Sequence, residues 1–276
     1  MTTDGRIRRR NARGCGTCPA HNSTSGLKSS TDLRSFDFVV ALAGNPNTGK
    51  STVFNALTGL RQHTGNWPGK TVVRAEGWFA HDNRRYKVVD LPGTYSLHAT
   101  SLDEEIARDF ILFGRPDVTV VVLDANCLER NLNLVLQVLE ITDRAVICLN
   151  LIDEARRHGL DVDHRRLARE LGVPVVPTAA RQGEGIPQLI ENISGVANQK
   201  IICKPFRSRN VPAAINRAVT ELAVQIEAVF PGLANARWVA LRLLDGDERV
   251  REAVRRGELG NLRQQPHTLT TKAEAS

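Results

Sequence analysis

The stretch that most constrains this chain is Gly44-Asn45-Pro46-Asn47-Thr48-Gly49-Lys50-Ser51. It follows the apolar run 38–43 and opens a helical pattern, so strand, loop and helix meet at a G-x-x-x-x-G-K-[ST] signature. The glycines let backbone N–H groups curl around a phosphate with no Cβ in the way. Lys50 would set an ammonium against the β- and γ-phosphates, and Ser51 would offer a hydroxyl to Mg²⁺. The positive end of the following helix adds to the anion binding. A chance glycine-rich turn would not require this strand before it and this helix after it.

The rest of the chain carries the same alternation. Strand candidates lie at 36–43, 70–79, 86–91, 118–123, 145–149 and 173–176, with helical patterns at 50–57, 102–113, 131–141, 163–171 and 186–193. This order predicts an α/β fold whose mostly parallel, six-stranded sheet is flanked by helices. Only the polar turn 81–84 separates two of the runs, which predicts a hairpin and one antiparallel strand. After residue 200 the period changes. Ile215, Val219, Leu222, Ile226 and Val229 recur at steps of three and four, marking one face of a helix, and a second helical stretch begins at Arg237. The expected division is a loose basic tail over 1–35, a nucleotide-binding domain over 36–198, a small helical appendage over 199–259 and a loose polar tail over 260–276.

Composition narrows the class. Hydrophobic residues make up 41% and charged residues 24%, ordinary for a chain that buries a core and unlike a wholly disordered or collagen-like one. No stretch approaches the ~20 apolar residues of a bilayer-spanning helix. The 37 Lys and Arg against 30 Asp and Glu give a formal charge of +7, compatible with an anionic ligand, a nucleic acid or an anionic lipid surface alike. Five cysteines, an odd number spread along the chain, argue against a secreted disulfide framework. The polar stretch 14–30 offers no apolar signal core, so a cytoplasmic setting is expected. Cys148 lies inside an apolar run and reads as a small buried hydrophobe. Cys15 and Cys18 with His21 are one ligand short of a closed zinc site. They read either as a partial metal or redox site or as part of a tail that holds no stable metal.

Two further motifs follow in order. Asp90-Leu91-Pro92-Gly93 ends the run Val88-Val89, the place of a D-x-x-G loop. Asp90 would hold Mg²⁺ through a water, and the Gly93 amide would sense the γ-phosphate. Asn150-Leu151-Ile152-Asp153 ends another buried strand. A carboxylate there accepts from both N1–H and the exocyclic N2–H of guanine, a donor pair adenine lacks, so the motif reads GTP rather than ATP. Each motif alone has a bland counterpart, a turn residue or a helix cap. Their order is what gives them weight.

Phosphate loop, D-x-x-G and N-x-x-D in this order resemble the translation-factor-related GTPases. The resemblance is closer to the cytoplasmic N-terminal domain of the bacterial ferrous iron transport protein B family. It is carried by residues 44–52 (GNPNTGKST), 65–72 (GNWPGKTV), 90–97 (DLPGTYSL), 128–132 (LERNL) and 150–153 (NLID), and covers about 37–195. Residues 237–247 (RWVALRLLDGD) resemble that family's helical appendage. The resemblance implies that 65–72 and 90–97 are the two switch segments. It makes Thr71 the switch threonine, placing a hydroxyl on Mg²⁺ and an amide on the γ-phosphate, with an ordinary strand threonine as the plain alternative. It gives Lys50, Thr71 and Gly93 the catalytic roles. Gly44, Asn45, Asn47, Thr48, Gly49, Lys50, Ser51, Thr52, Asn150 and Asp153 would bind nucleotide, as would Thr178, Ala179 and Ala180 through a backbone amide. Ser51, Thr71 and Asp90 would hold Mg²⁺. Asn47 would help bind K⁺ in a potassium-activated member, or else simply shape the loop.

Thr94 stands where Ras-like proteins carry a water-orienting glutamine, which predicts slow intrinsic hydrolysis. Trp67 in the first switch is expected to serve packing or docking. The expected function is a GTP-binding, slowly GTP-hydrolysing regulatory domain of a ferrous iron uptake system at the inner face of the cell membrane. Its expected partners are a membrane permease and small accessory proteins, with a homo-oligomer left open. The alternatives are a soluble GTPase of RNA modification or ribosome assembly, and a nucleotide-sensing adaptor. No nucleic acid partner is expected, because no KH-like glycine loop follows residue 200.

Overall fold

The computed structural model describes residues 36–59, 62–67, 70–98, 101–206, 212–231, 233 and 235–257. Cys15, Cys18 and His21 lie outside the described residues, as do both expected tails. The strands are β1 (Phe38–Gly44), β2 (Gln62–Asn66), β3 (Val73–His81), β4 (Arg84–Asp90), β5 (Val118–Asp124), β6 (Ala145–Asn150) and β7 (Val175–Pro177). They form one seven-stranded sheet in the order β2-β3-β4-β1-β5-β6-β7. The pairings from β4 through β1, β5 and β6 to β7 are parallel, while β2-β3 and β3-β4 are antiparallel.

The helices of the sheet region are α1 (Lys50–Thr58), α2 (Leu102–Leu112), α3 (Leu128–Ile141), α4 (Ile152–Arg157), α5 (His164–Leu171) and α6 (Ile186–Ala197). Successive residues of a strand face opposite sides, so one strand feeds two cores. Val40 and Leu42 of β1 join Val53, Phe54 and Leu57 of α1 and Leu189 and Ile193 of α6. Ala41 and Ala43 join Ile106 and Ile111 of α2 and Leu134 and Val138 of α3. Burial on both faces explains why the central strands read as continuous apolar runs.

The expected hairpin is present, closed by Asp82 and Asn83 with φ of +49° and +57°, values suited to a tight two-residue turn. The expected count of six strands is corrected by β2. Its sequence, QHTGN, carries no apolar alternation; it joins the sheet as an edge through backbone pairing with β3. A polar edge of this kind also resists pairing with a stranger's strand. The third strand begins at Val73 rather than at Lys70.

Beyond the sheet come α7 (Ala213–Val229), α8 (Ala236–Leu244) and α9 (Glu248–Arg256). Val219, Ala223 and Ile226 of α7, Trp238 and Val239 of α8 and Val250 of α9 belong to the same buried cluster as α2 and α3. The expected apolar stripe is only buried at its middle: Ile215 is 45% and Val229 70% exposed. Helix α7 is longer than the surface it packs on. Leading to it, the segment 201–206 is tied down by Lys204 N–H to Gly172 O (2.8 Å) and Phe206 N–H to Leu171 O (2.9 Å). Gly172 has φ +70°, and a Cβ there would stand 1.8 Å from the Lys204 carbonyl oxygen, so only glycine fits.

Candidate functional site

The phosphate loop leaves β1 at the carboxyl edge of the parallel strands, where open α/β sheets bind their ligands. Gly49 caps α1 with φ +77°, and a Cβ on it would meet Asn150 Nδ2 at 2.4 Å. Glycine is therefore required by approach as well as by conformation. Asn150 comes that close because it is the joint of the site. Its Nδ2 donates to the Thr48 carbonyl (3.0 Å), while its Oδ1 accepts from the Ala180 amide (3.1 Å) and the Thr178 hydroxyl (3.3 Å). One buried side chain so ties the phosphate loop to the loop after β7. Thr48 Oγ1 in turn donates to Asn45 O (2.9 Å), closing the phosphate loop on itself.

Lys50 points into this cradle. Its ammonium donates to the Asp90 carboxylate and to the Leu91 carbonyl, the latter at 2.7 Å. Burial pushes the Asp90 carboxyl above the ordinary carboxylate range, more than the Lys50 charge pulls it back. Ser51 and Thr52 are exposed at the start of α1. Asn47 is exposed with φ +66°. Asn45 is buried, and neither atom of its side-chain amide has a partner among the described residues.

The second switch lies against the phosphate loop. A Cβ on Gly93 would stand 3.5 Å from Pro46, and the Thr94 amide donates to Gly44 O (3.2 Å). Thr94 is buried, with its hydroxyl turned to Ser96 O (2.5 Å). That hydroxyl is spent on its own loop.

At the base end, Asp153 sits in the first turn of α4 after Leu151, whose φ is +61°. Asp153 Oδ2 accepts from Gln182 Nε2 (3.0 Å) and from Arg157 Nη2 (3.4 Å). Gln182 was not singled out in the sequence, because a lone polar residue in a loop carries no spacing signal. The three amides expected at the guanine are already engaged: Thr178 N–H on Leu149 O, Ala179 N–H on Glu184 O and Ala180 N–H on Asn150. A base oxygen would have to compete with one of them. Cys148 is fully buried against the Thr178 hydroxyl, and burial pushes its thiol up to about 12.

The structure does not bring Thr71 to the other candidates. It is exposed between β2 and β3, four residues before Ala75, the partner of Asp90 on β3. No hydrogen bond joins it to Lys50, Ser51 or Asp90 among the described residues. In the first switch Trp67 N–H donates to Val72 O (2.9 Å) and Lys70 N–H to Trp67 O (2.9 Å), beside the β2–β3 edge pairing. Trp67 is a buried packing residue, edge-on to Phe110 of α2 at 5.5 Å with the Arg74 guanidinium over its ring at 4.7 Å.

Comparison with known proteins decides the family. Residues 38–193 match the model of the ferrous iron transport protein B N-terminal domain, and residues 212–275 match that of the FeoB cytosolic helical domain. The chain belongs to the ferrous iron transport protein B family. It is 41% identical over 215 residues to the Fe(2+) transporter FeoB of Salmonella typhimurium, an alignment covering 75% of this chain and 27% of that protein. The chain thus spans about a quarter of the length of such relatives. Among solved structures, the cytosolic domain of L. pneumophila FeoB aligns with TM-score 0.70 and 34% identity over 82% of this chain and 89% of that one. A GDP form of the T. maritima FeoB cytosolic domain aligns with TM-score 0.70 and 37% identity, over 81% and 85%. The FeoB-type G domain is a P-loop GTPase, of which GDP-bound structures are among the matches. Among the described residues, no helix is long and apolar enough to cross a membrane.

Proposed function

We propose that this chain is the guanine-nucleotide switch of a ferrous iron transporter: it binds GTP and GDP, hydrolyses GTP slowly, and reports the nucleotide state to a membrane permease. The observation that carries the reading is the Asn150 joint, which locks phosphate loop and base loop into one frame beside Lys50. Asp153 then supplies the choice of guanine. The buried Thr94 hydroxyl, already bonded to Ser96 O, supports a slow intrinsic rate, since it cannot orient a water as a long amide side chain does.

The donor set suits Mg²⁺, a hard cation that takes oxygen ligands. The Ser51 hydroxyl is exposed beside the cradle, and the Asp90 carboxylate is buried with the Lys50 ammonium as its partner. Ser51 and Asp90 would hold the ion, joined by Thr71 once the first switch folds inward, and Mg²⁺ would neutralise phosphate charge. The exposed Asn47 amide oxygen suits a K⁺ ion beside the phosphates, supplying charge where other GTPases use an arginine.

Transmission would run through α2. Its residues meet the first switch at Lys70–Glu105 (3.1 Å) and Trp67–Phe110, and the second at Ser96–Glu104 (2.8 Å). On the appendage side, Arg108 binds Asp109 (2.8 Å) and reaches Asp247 (3.5 Å), which caps α9. We assign 36–198 to the nucleotide domain and 199–259 to the appendage, acting at the inner face of the cell membrane with a permease and small accessory proteins as partners. Oligomerisation would be read from the same protein in solution. No feature of the described residues favours the alternative in RNA modification or ribosome assembly.

Single-turnover phosphate release from GTP and ATP, in K⁺ and in Na⁺, tests this reading. Slow release from GTP alone, faster in K⁺ and insensitive to K⁺ in Asn47→Ala, supports it. Equal binding of ATP, or no guanine-nucleotide binding, contradicts it.

A further inference from the structure

The LERN stretch at the start of α3 is not accounted for by nucleotide binding. Asn131 fixes that start, its Nδ2 donating to Cys127 O at 2.5 Å. Arg130 and Gln137 are seven residues apart, two turns of helix, and so lie on one stripe. Both reach the far end of the second switch. The Arg130 guanidinium lies 4.3 Å from the centre of the Tyr95 ring. Gln137 Oε1 accepts the Leu97 amide at 2.6 Å, and Leu97 itself is buried. Gln137 Nε2 also reaches Asn133 Oδ1 (3.3 Å) and stands 3.4 Å from His98 Nε2.

We propose that Gln137 and Arg130 are positioning residues for GTP hydrolysis, gripping the second switch from α3 through the Leu97 amide and the Tyr95 ring. The near end of that switch is anchored at Leu91, whose side chain is buried and whose N–H donates to Leu42 O (2.9 Å), and past Leu91 it rests on lighter contacts. Gly93 touches Pro46 and Thr94 hangs on Gly44 O at 3.2 Å. Lys50 holds Leu91 O and would exchange that contact for a phosphate, so one tie on the near end would be lost with nucleotide bound. A far end clamped to a rigid helix limits where Gly93 and Thr94 then settle. A catalytic group held loosely by even an ångström loses much of its effect. The clamp touches neither phosphate nor base, so it bears on the rate and not on GDP affinity. Of the two contacts the amide bond weighs more, because its loss leaves a buried N–H without a partner.

This inference rests on the reading of the site as a GTPase, and the two fail differently. Wild type that binds GTP and releases no phosphate removes the GTPase reading. The inference is tested by single-turnover hydrolysis beside mant-GDP affinity in the variants. Gln137→Leu is expected to slow hydrolysis roughly tenfold with unchanged GDP affinity. Gln137→Glu, whose carboxylate accepts the same N–H, is expected to restore most of the rate. Arg130→Ala and Tyr95→Leu are each expected to cost roughly two- to fivefold and, combined, no more than either alone, while Tyr95→Phe behaves as wild type. A folded Gln137→Leu that hydrolyses at the wild-type rate overturns the inference. So does a parallel fall in GDP affinity. Should Gln137→Leu not fold, additive losses in Arg130→Ala and Tyr95→Leu overturn it instead.

Discussion

The phosphate and base frame differs sharply from the first switch. In the frame, Asn150 alone joins Thr48, Thr178 and Ala180, so the loops that would surround a guanine nucleotide are tied to one another through a single side chain. In the first switch, the polar strand β2 pairs with β3 at the edge of the sheet, and Thr71 stands exposed with no hydrogen bond to Asp90 among the described residues. Around Asn150 the frame is held by buried polar groups that satisfy one another, which are costly to break. The switch is held by edge pairing, by Trp67 and by the Lys70–Glu105 ion pair, contacts that a γ-phosphate and its metal would have to outbid. On the proposed reading, the Asn150 frame would give affinity to any guanine nucleotide, and the first switch would give the difference between GTP and GDP.

The hardest blow to this contrast is Asn150→Ala. It strands the Ala180 amide and the Thr48 carbonyl, and should cost about 2–4 kcal/mol of stability and weaken GDP and GTP alike by on the order of 100-fold. Calorimetry and nucleotide titration would show it; a selective loss of GTP alone would mean the frame is not pre-formed. Trp67→Ala should destabilise the empty protein by about 3 kcal/mol in denaturant unfolding, because it removes a buried aromatic from the hairpin–α2 contact. GDP affinity should stay within about twofold, since nothing in the frame is touched. Thr71→Ala sharpens the contrast further. The exposed side chain makes its melting point and GDP affinity those of wild type, while GTP with Mg²⁺ should bind about tenfold more weakly.

The smallest effect lies at the opposite end of the sheet. The Arg85 backbone N–H, with the Arg84 guanidinium, holds the Asp37 carboxyl below its ordinary 3.8. A depressed folded value stabilises the protein above that pH, and the contribution fades as pH falls through the folded value. Asp37→Asn should therefore lose a little stability at neutral pH, with the gap closing in acid and nucleotide binding unaltered at any pH.

Much of the frame was legible from residue types in order. Gly49, Lys50, Asn150 and Asp153 stand out because a phosphate and a guanine would demand those groups in that order, and the structure does bring the phosphate loop against Asn150. The central strands were legible too, since burial on both faces leaves apolar runs such as 118–123. The edge strand β2 was not, because its stability lies in backbone bonds that any side chain permits. Nor were Gln137 and Gln182. A glutamine that accepts an amide or orients a carboxylate across the fold has no local pattern. Ile215 and Val229 misled in the other direction: the period of three and four located the helix but not the length of its buried face.

Hydrogen–deuterium exchange with no nucleotide, with GDP, and with a non-hydrolysable GTP analogue and Mg²⁺ tests the division of labour most directly. Amides of the phosphate loop and of the loops around Asn150 and Ala180 should be protected by both nucleotides to a similar degree. Those of 62–67 and 70–73 should change only with the triphosphate. Equal changes in the first switch with GDP and the GTP analogue would contradict the account.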